Sequence, residues 1–227
     1  MTRFEFTRPR PVSRTITFSE VARISDSLRR GSLAVLPTET GYMLAALATD
    51  LSAVERAFAV KFRNHAQVMH VACASLAMAA EIGELTPQAL RLLGEFTPGP
   101  VSVVVSKTPM LPDRLVTMDG TVGIRVPDHP ATLQVIGEVG TPLTATSLNV
   151  SGAAPALVSE LDLESLNWPA DETVHVVADD DAISYQTGST LVRVTGPDVE
   201  VLRPGPVSES QLREVAHGSS YLAAARA

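Results

Sequence analysis

The stretch that decides the fold reads Ser32-Leu33-Ala34-Val35-Leu36-Pro37-Thr38-Glu39-Thr40-Gly41-Tyr42. Ser32 to Leu36 is a short apolar run closed by a proline, the pattern of a buried strand. A polar knot of hydroxyls, an acid and a glycine follows at once. Open α/β sheets place ligands at strand ends, so the knot is a candidate small-ligand rim. The same residues also make ordinary turn chemistry. Upstream, Phe18 to Arg30 sets Val21, Ile24 and Leu28 on one helical face, and Gly31 stops it. Downstream, Tyr42 to Ala48 is again apolar, and Asp50 opens a helix over Leu51 to Val60.

The alternation continues. Val68 to Ala74, Val101 to Ser106, Thr121 to Val126, Leu143 to Thr146 and Thr173 to Val177 are strand-like runs. Ser75 to Ile82, Pro87 to Phe96, Pro130 to Val139 and Ser208 to Ala216 carry helical spacing, the second with Thr86 as N-cap and Pro87 at the first helical position. Leu191 to Thr195 and Val199 to Leu202 form a hairpin across Gly196-Pro197-Asp198. Ser151 to Asp171 is the loosest region. A hairpin beside helix-linked strands predicts one α/β domain with a mixed sheet.

The 227 residues suffice for one full core. With 18 basic and 25 acidic side chains the net charge is −7, which argues against a protein that coats polyanions. Cys73 has no disulfide partner and lies in an apolar run, which fits a core thiol in a reducing, cytoplasmic setting. No run reaches the length of a membrane-spanning helix, and Met1 to Thr15 lacks the apolar segment of a secretory signal. That segment holds Arg3, Arg8, Arg10 and Arg14 and reads as a solvated or nucleic-acid arm over residues 1–16, before a domain at 17–206 and a C-terminal helix and tail at 207–227. Only Lys61 and Lys107 are lysines.

Further polar clusters sit at predicted strand and helix ends. Lys61-Phe62-Arg63 leaves a helix and reads as a C-terminal cap or as a clamp for phosphate or carboxylate. Phe96-Thr97-Pro98-Gly99-Pro100 is a rigid turn. Arg125 lies inside an apolar strand, where its charge needs a carboxylate partner or an anionic ligand. His129, between Asp128 and Pro130, reads as a helix-start residue. Thr146-Ser147-Leu148-Asn149-Val150-Ser151-Gly152 could build an anion nest. Gly188-Ser189-Thr190 and Leu202-Arg203-Pro204-Gly205 cap the last strands. Such a density of polar ends predicts a binding cleft. His65, His70 and Cys73 do not complete a metal site, and the glycines match neither a Walker A loop nor a dinucleotide fingerprint.

In this order the clusters PTETGY, KFR, PGP, RVPDHP, SLNVSG, STLV and RPG resemble the YrdC/YciO family, across roughly Thr17 to Pro206. The resemblance implies a twisted mixed sheet with flanking helices around a concave cavity. It implies an ATP-dependent nucleotidyltransferase, a threonylcarbamoyl-AMP synthase: L-threonine and bicarbonate give a carbamate that attacks the α-phosphate of ATP, releasing pyrophosphate, and the product serves tRNA modification. By resemblance Thr40, Arg125, Ser147 and Ser189 contact threonine. Lys61, Arg63, Thr121, Asn149 and Arg203 contact the nucleotide, with Lys61 and Arg63 the catalytic cations. Mg²⁺ arrives on the phosphates, with no protein metal site. The alternative is a divergent YciO-like protein that binds a nucleotide, tRNA or double-stranded RNA without this reaction, or a relative acting on another amine; tRNA-modification proteins are the implied macromolecular partners, and no membrane.

The chain departs from the family pattern at several positions. Met43 and Ala45 stand where glycines are usual, and Gln67, Val68 and Ala72 replace an Asn, a Pro and a strand histidine. His70 lies two residues before Ala72 and either stands in for that histidine or belongs to the core. Arg193 replaces an acid and Leu157 a hydroxyl residue, while Leu148 follows the YciO-like branch.

Overall fold

A computed structural model of the chain describes residues 1–60, 69–115, 119–148 and 156–218. Its centre is the hairpin of β2 (Ala34–Thr38) and β3 (Gly41–Ala45), every residue of which is buried. The turn is only Glu39-Thr40, since Thr38 pairs with Gly41. Gly41 has φ +110°, a conformation that side chains with a Cβ rarely adopt. β2 runs through Pro37, which has no N–H to donate. This is tolerated because β8 pairs only with Ala34 and Val35, leaving that side of Pro37 without a ladder to break.

Around the hairpin stand β1 (Arg3–Thr7), β4 (His70–Ala72), β5 (Val101–Ser106), β6 (Thr121–Arg125), β7 (Leu143–Ser147), β8 (Thr173–Val177), β9 (Thr190–Arg193) and β10 (Glu200–Arg203). Among the described residues they make one ten-stranded sheet in the order β1-β8-β2-β3-β7-β4-β6-β5-β9-β10. It is mixed as predicted: β1 and β8, β4 and β6, and β5 and β9 pair in parallel, whereas β5 and β6, β4 and β7, and the β9–β10 hairpin are antiparallel.

Six α-helices of the described residues flank the sheet: α1 (Phe18–Arg29), α2 (Leu51–Val60), α3 (Leu76–Ile82), α4 (Pro87–Phe96), α5 (Pro130–Val139) and α6 (Glu209–His217). Their starts are written locally. Thr17 and Glu20 close a capping box on α1, Thr86 caps α4 ahead of Pro87, and Ser208 with Gln211 does the same for α6. On one sheet face Val35, Leu44, Val71, Ile124, Val103 and Val192 share a core with residues of α2, α3, α4 and α6, including Phe58, Ile82, Leu93 and Leu212. On the other face Leu36, Met43, Ala45, Ala72 and Leu143 pack under α1 and α5.

The second core covers only half of its face. Residues in register point to the same side of a sheet, so pairing carries that face onward from Met43 to Ser147, from Ala145 to His70, and from Ala72 to Arg125. It continues through Gly123 and Thr121 to Val104 and Ser106. No described helix packs there. Ser147 is exposed, and Ala145, His70, Ser106, Leu191 and Arg193 are half-buried, although most lie in central strands. This bare, polar half is where the fold leaves room for chemistry.

The expectation of a solvated arm over residues 1–16 is corrected at its start. Arg3–Thr7 is an edge strand in register with Thr173 to Val177. Phe4 and Phe6 alternate onto one face, and the Phe4 ring meets Trp168 edge-on at 5.5 Å. The charges of Arg3, Glu5 and Arg8 around them mask that period in the sequence. At the other end α6 contributes fully buried Leu212 and Ala216 to the core, so residues 209–217 are part of the packed body.

Candidate active site

Arg125 ends β6 with its guanidinium almost wholly buried, and its partner is Glu39 in the β2–β3 turn. One Glu39 oxygen accepts from Arg125 Nη2, and the other accepts from the backbone N–H of Asp128 at 2.8 Å. Arg125 Nη1 donates to Thr40 Oγ1 at 3.1 Å. Thr38 Oγ1 donates to the Gly41 carbonyl at 2.7 Å, so in the 3.2 Å pair of hydroxyls Thr40 is the donor to Thr38. The strand arginine therefore meets the carboxylate its burial demands and fixes one site hydroxyl in place.

A second cation belongs to the β9–β10 hairpin. Arg203 donates through Nε and Nη2 to the Ser189 carbonyl at 3.2 and 2.9 Å, and through Nη2 to Ser189 Oγ at 3.2 Å. Burial, and then the charge of Arg125, pull the Arg203 pKa below its ordinary value. The two guanidinium groups thus feel each other across the site, a field suited to an anion. Gly205 makes this approach possible. A Cβ there would lie 2.5 Å from Thr190 N and 2.8 Å from the Gly188 carbonyl.

Residues 178–185 close the rim behind Glu39. Ser184 N and Tyr185 N donate to the Glu39 carbonyl at 3.0 and 3.2 Å. Tyr42 donates to Asp180 Oδ1 at 2.8 Å and accepts from Asp179 N at 2.9 Å. Burial, reinforced by Asp180, raises the phenol's pKa and keeps it neutral. His129 caps α5, its Nδ1 accepting from Thr132 N. The proton is then on Nε2, which reaches Asp179 Oδ2 at 3.1 Å. Burial holds this imidazole below the usual histidine value despite Asp179. It is the helix-start residue the sequence indicated.

Thr40, Arg125, Ser189 and Arg203 come together as hydrogen-bonded or electrostatic neighbours. Ser147 ends β7 on the same bare face. Thr121 also lies on that face but four residues from Arg125, about 13 Å along the strand, with its hydroxyl donating to Asp119 at 2.8 Å. Lys61, Arg63 and Asn149 lie outside the described residues, as do Gln67 and Val68. Lys107 pairs with Asp113 at 2.5 Å, away from the site. Cys73 is a buried thiol pushed up to about 12 by its burial, a core residue as expected.

The departures fall into two groups. Met43 and Ala45 are buried in the core beneath α1 and α5, and Leu148 is buried in the opposite core, so their side chains fill cores. His70 lies on the bare face, its ring across Gly123, where a Cβ would come within 2.7 Å of His70 Cδ2. Arg193 lies 3.7 Å from both Asp119 and Glu200, and Leu157 is 40% exposed. Glu39 has a role that its motif alone does not reveal. The signal that could have found it is the strand arginine, whose burial requires a carboxylate. Among the described residues, shallow cavities also occur between β1 and residues 158–168, lined by Phe4, Trp168, Glu160 and Glu164 and by no described arginine or lysine.

A family model described as telomere recombination, Sua5_yciO_yrdC, matches residues 26–205. A Mycobacterium tuberculosis protein provisionally named a threonylcarbamoyl-AMP synthase is 35% identical over 190 residues, covering 83% of this chain and 85% of that protein. The mouse threonylcarbamoyl-AMP synthase is 31% identical over 188 residues, covering 81% of this chain and 66% of the mouse protein. The crystal structure of P. abyssi Sua5 complexed with L-threonine superposes with TM-score 0.80 at 25% identity, over 95% of this chain and 61% of that one. E. coli YciO superposes with TM-score 0.78 at 22% identity, over 93% of this chain and all of that one, which speaks to the fold.

Proposed function

Because the chain belongs to the Sua5/YciO/YrdC family, we propose that it is a threonylcarbamoyl-AMP synthase, an enzyme that makes threonylcarbamoyl-AMP and pyrophosphate from L-threonine, bicarbonate and ATP. The observation that carries this reading is the pair of anchored arginines, Arg125 on Glu39 and Arg203 on Ser189, whose Ser102 partner lies on the Arg125 face of the sheet. The substrates bring a carboxylate and a triphosphate, and both need fixed positive charge.

Threonine's amine and bicarbonate condense to a carbamate with loss of water. A carbamate oxygen then attacks the α-phosphorus of ATP, the bond to the bridging oxygen breaks, and pyrophosphate leaves. No nucleophilic side chain takes part. Catalysis rests on positioning and on stabilising the charge that gathers at phosphorus. Thr40, Ser147 and Ser189 supply hydroxyls to threonine, and Arg125 orients Thr40 while adding its field. Arg203, Thr121, Asn149, Lys61 and Arg63 serve the nucleotide, with Mg²⁺ entering as MgATP. The product passes on to tRNA modification, in the cytoplasm, where Cys73 stays reduced. Relatives named for this activity favour it over the RNA-binding alternative.

Purified protein given threonine, bicarbonate and MgATP is expected to release pyrophosphate only when threonine is present. Threonine-independent release, or none beside an active control synthase, refutes the proposal. Arg63→Ala is expected to abolish ATP binding with the fold intact, and equal ATP affinity in the variant counts against the role given to Arg63.

A further inference from the structure

Ser102 is an oddity in its strand. It interrupts the valines of β5, has no exposed surface, and lies on the same sheet face as Arg125. Its Oγ is 2.8 Å from Ser189 Oγ, and no other hydrogen bond of its side chain is present among the described residues. A buried hydroxyl that keeps its proton from every acceptor is costly. Ser102, with no exposed surface, has no other acceptor among the described residues, whereas Ser189, 3% exposed, borders the site where a ligand can accept; the proton of Ser102 therefore goes to Ser189 Oγ. That oxygen already accepts from Arg203 Nη2 at 3.2 Å. With two donors on its lone pairs, Ser189 has its own proton left over, and among the described residues nothing accepts it.

We propose that Ser102 is a positioning residue that commits the Ser189 hydroxyl to donating, so that the site reads a hydrogen-bond acceptor of the bound amino acid, its carboxylate, at that point. The polarity is set by the chain Ser102 to Ser189 to ligand, closed from the other side by Arg203. Thr40, engaged by Arg125 and Thr38, presents a remaining lone pair instead. The two hydroxyls thus differ in what they recognise. This inference rests on taking the site as a threonine pocket.

Steady-state kinetics of Ser102→Ala, Ser102→Thr and wild type test it. Ser102→Ala removes one of the two donors that hold the Ser189 lone pairs, so the hydroxyl is no longer fixed in its donating orientation and the threonine KM is expected to rise about tenfold, about 1.4 kcal/mol. The ATP KM, kcat and thermal melt are expected to stay close to wild type, and Ser102→Thr, which keeps Oγ, to restore the threonine KM. An unchanged threonine KM in Ser102→Ala, or equal rises for threonine and ATP, overturns the proposal. Should wild type show no threonine turnover, the activity fails but the hydroxyl polarity is still decided by neutron diffraction of deuterated protein. A deuteron on Ser102 Oγ directed at Ser189 supports it, and a Ser189 deuteron directed at Ser102 overturns it.

Discussion

Glu39 is the residue on which the most depends, because its carboxylate holds a buried guanidinium and the backbone N–H of Asp128, and its main-chain carbonyl holds residues 184 and 185. Removing one member of a buried ion pair leaves an uncompensated charge, worth about 3–5 kcal/mol. Glu39→Gln is therefore expected to lower unfolding stability by about that amount in urea titrations. Adding Arg125→Met to Glu39→Gln is expected to recover much of the loss, since a packed apolar side chain replaces the stranded charge. Two buried histidines give a pH dependence. Burial lowers the pKa of both His129 and His175, against the pull of Asp179 and Glu5. The unfolded imidazole takes its proton near pH 6.5 and the folded one only at lower pH. Between those values the unfolded chain binds more protons, so stability is present above about pH 6.5 and declines as pH falls, by at most about 1.4 kcal/mol per pH unit for each histidine. Melting temperatures from pH 7 to pH 5 check the sign, and His129→Gln is expected to flatten the slope.

At the scale of elements, the hairpin β9–β10 is the most exacting piece, because the return through Gly205 lies against the backbone of residues 188–190. Gly205→Ala collides with backbone atoms that have no freedom to move aside, so Arg203 and Ser189 must separate. A stability loss of about 1–3 kcal/mol and weakened ATP binding are expected, read by melting and calorimetry. Gly123→Ala meets only the His70 ring and is expected to cost less. Most elements were legible because each apolar run is bounded by Gly, Pro or a capping hydroxyl; α2, α4, α5, β5 and β8 match their predicted bounds. β1 was not, because five residues with alternating charges carry too little apolar signal until Trp168 is beside them. The site followed the same rule. Its cations and hydroxyls stood out locally, whereas the pairing of Arg125 with Glu39 spans 86 residues and belongs to no local pattern.

For the whole molecule, the unequal covering of the sheet separates stability from function: α2, α3, α4 and α6 complete one core, and α1 with α5 the other. α6 matters more than its place at the end of the chain suggests, since Leu212 and Ala216 are fully buried and Arg91 Nε donates to the Ala216 carbonyl at 3.2 Å. A chain cut after Pro206 is expected to lose about 2–5 kcal/mol, seen as an earlier urea midpoint, with the α4 surface exposed to dye binding. The parallel pairing of β1 with β8 has a consequence in time. Thr173, the partner of Arg3, emerges 170 residues later. At about 5–20 residues per second, the first strand waits roughly ten to thirty seconds for its neighbour during synthesis, with Phe4 and Phe6 uncovered meanwhile. Arg203 and the α6 residues that complete one core are made later still, so both the site and that core are finished only after β1 has met β8, and chaperone demand at the N-terminus outlasts the folding of the middle.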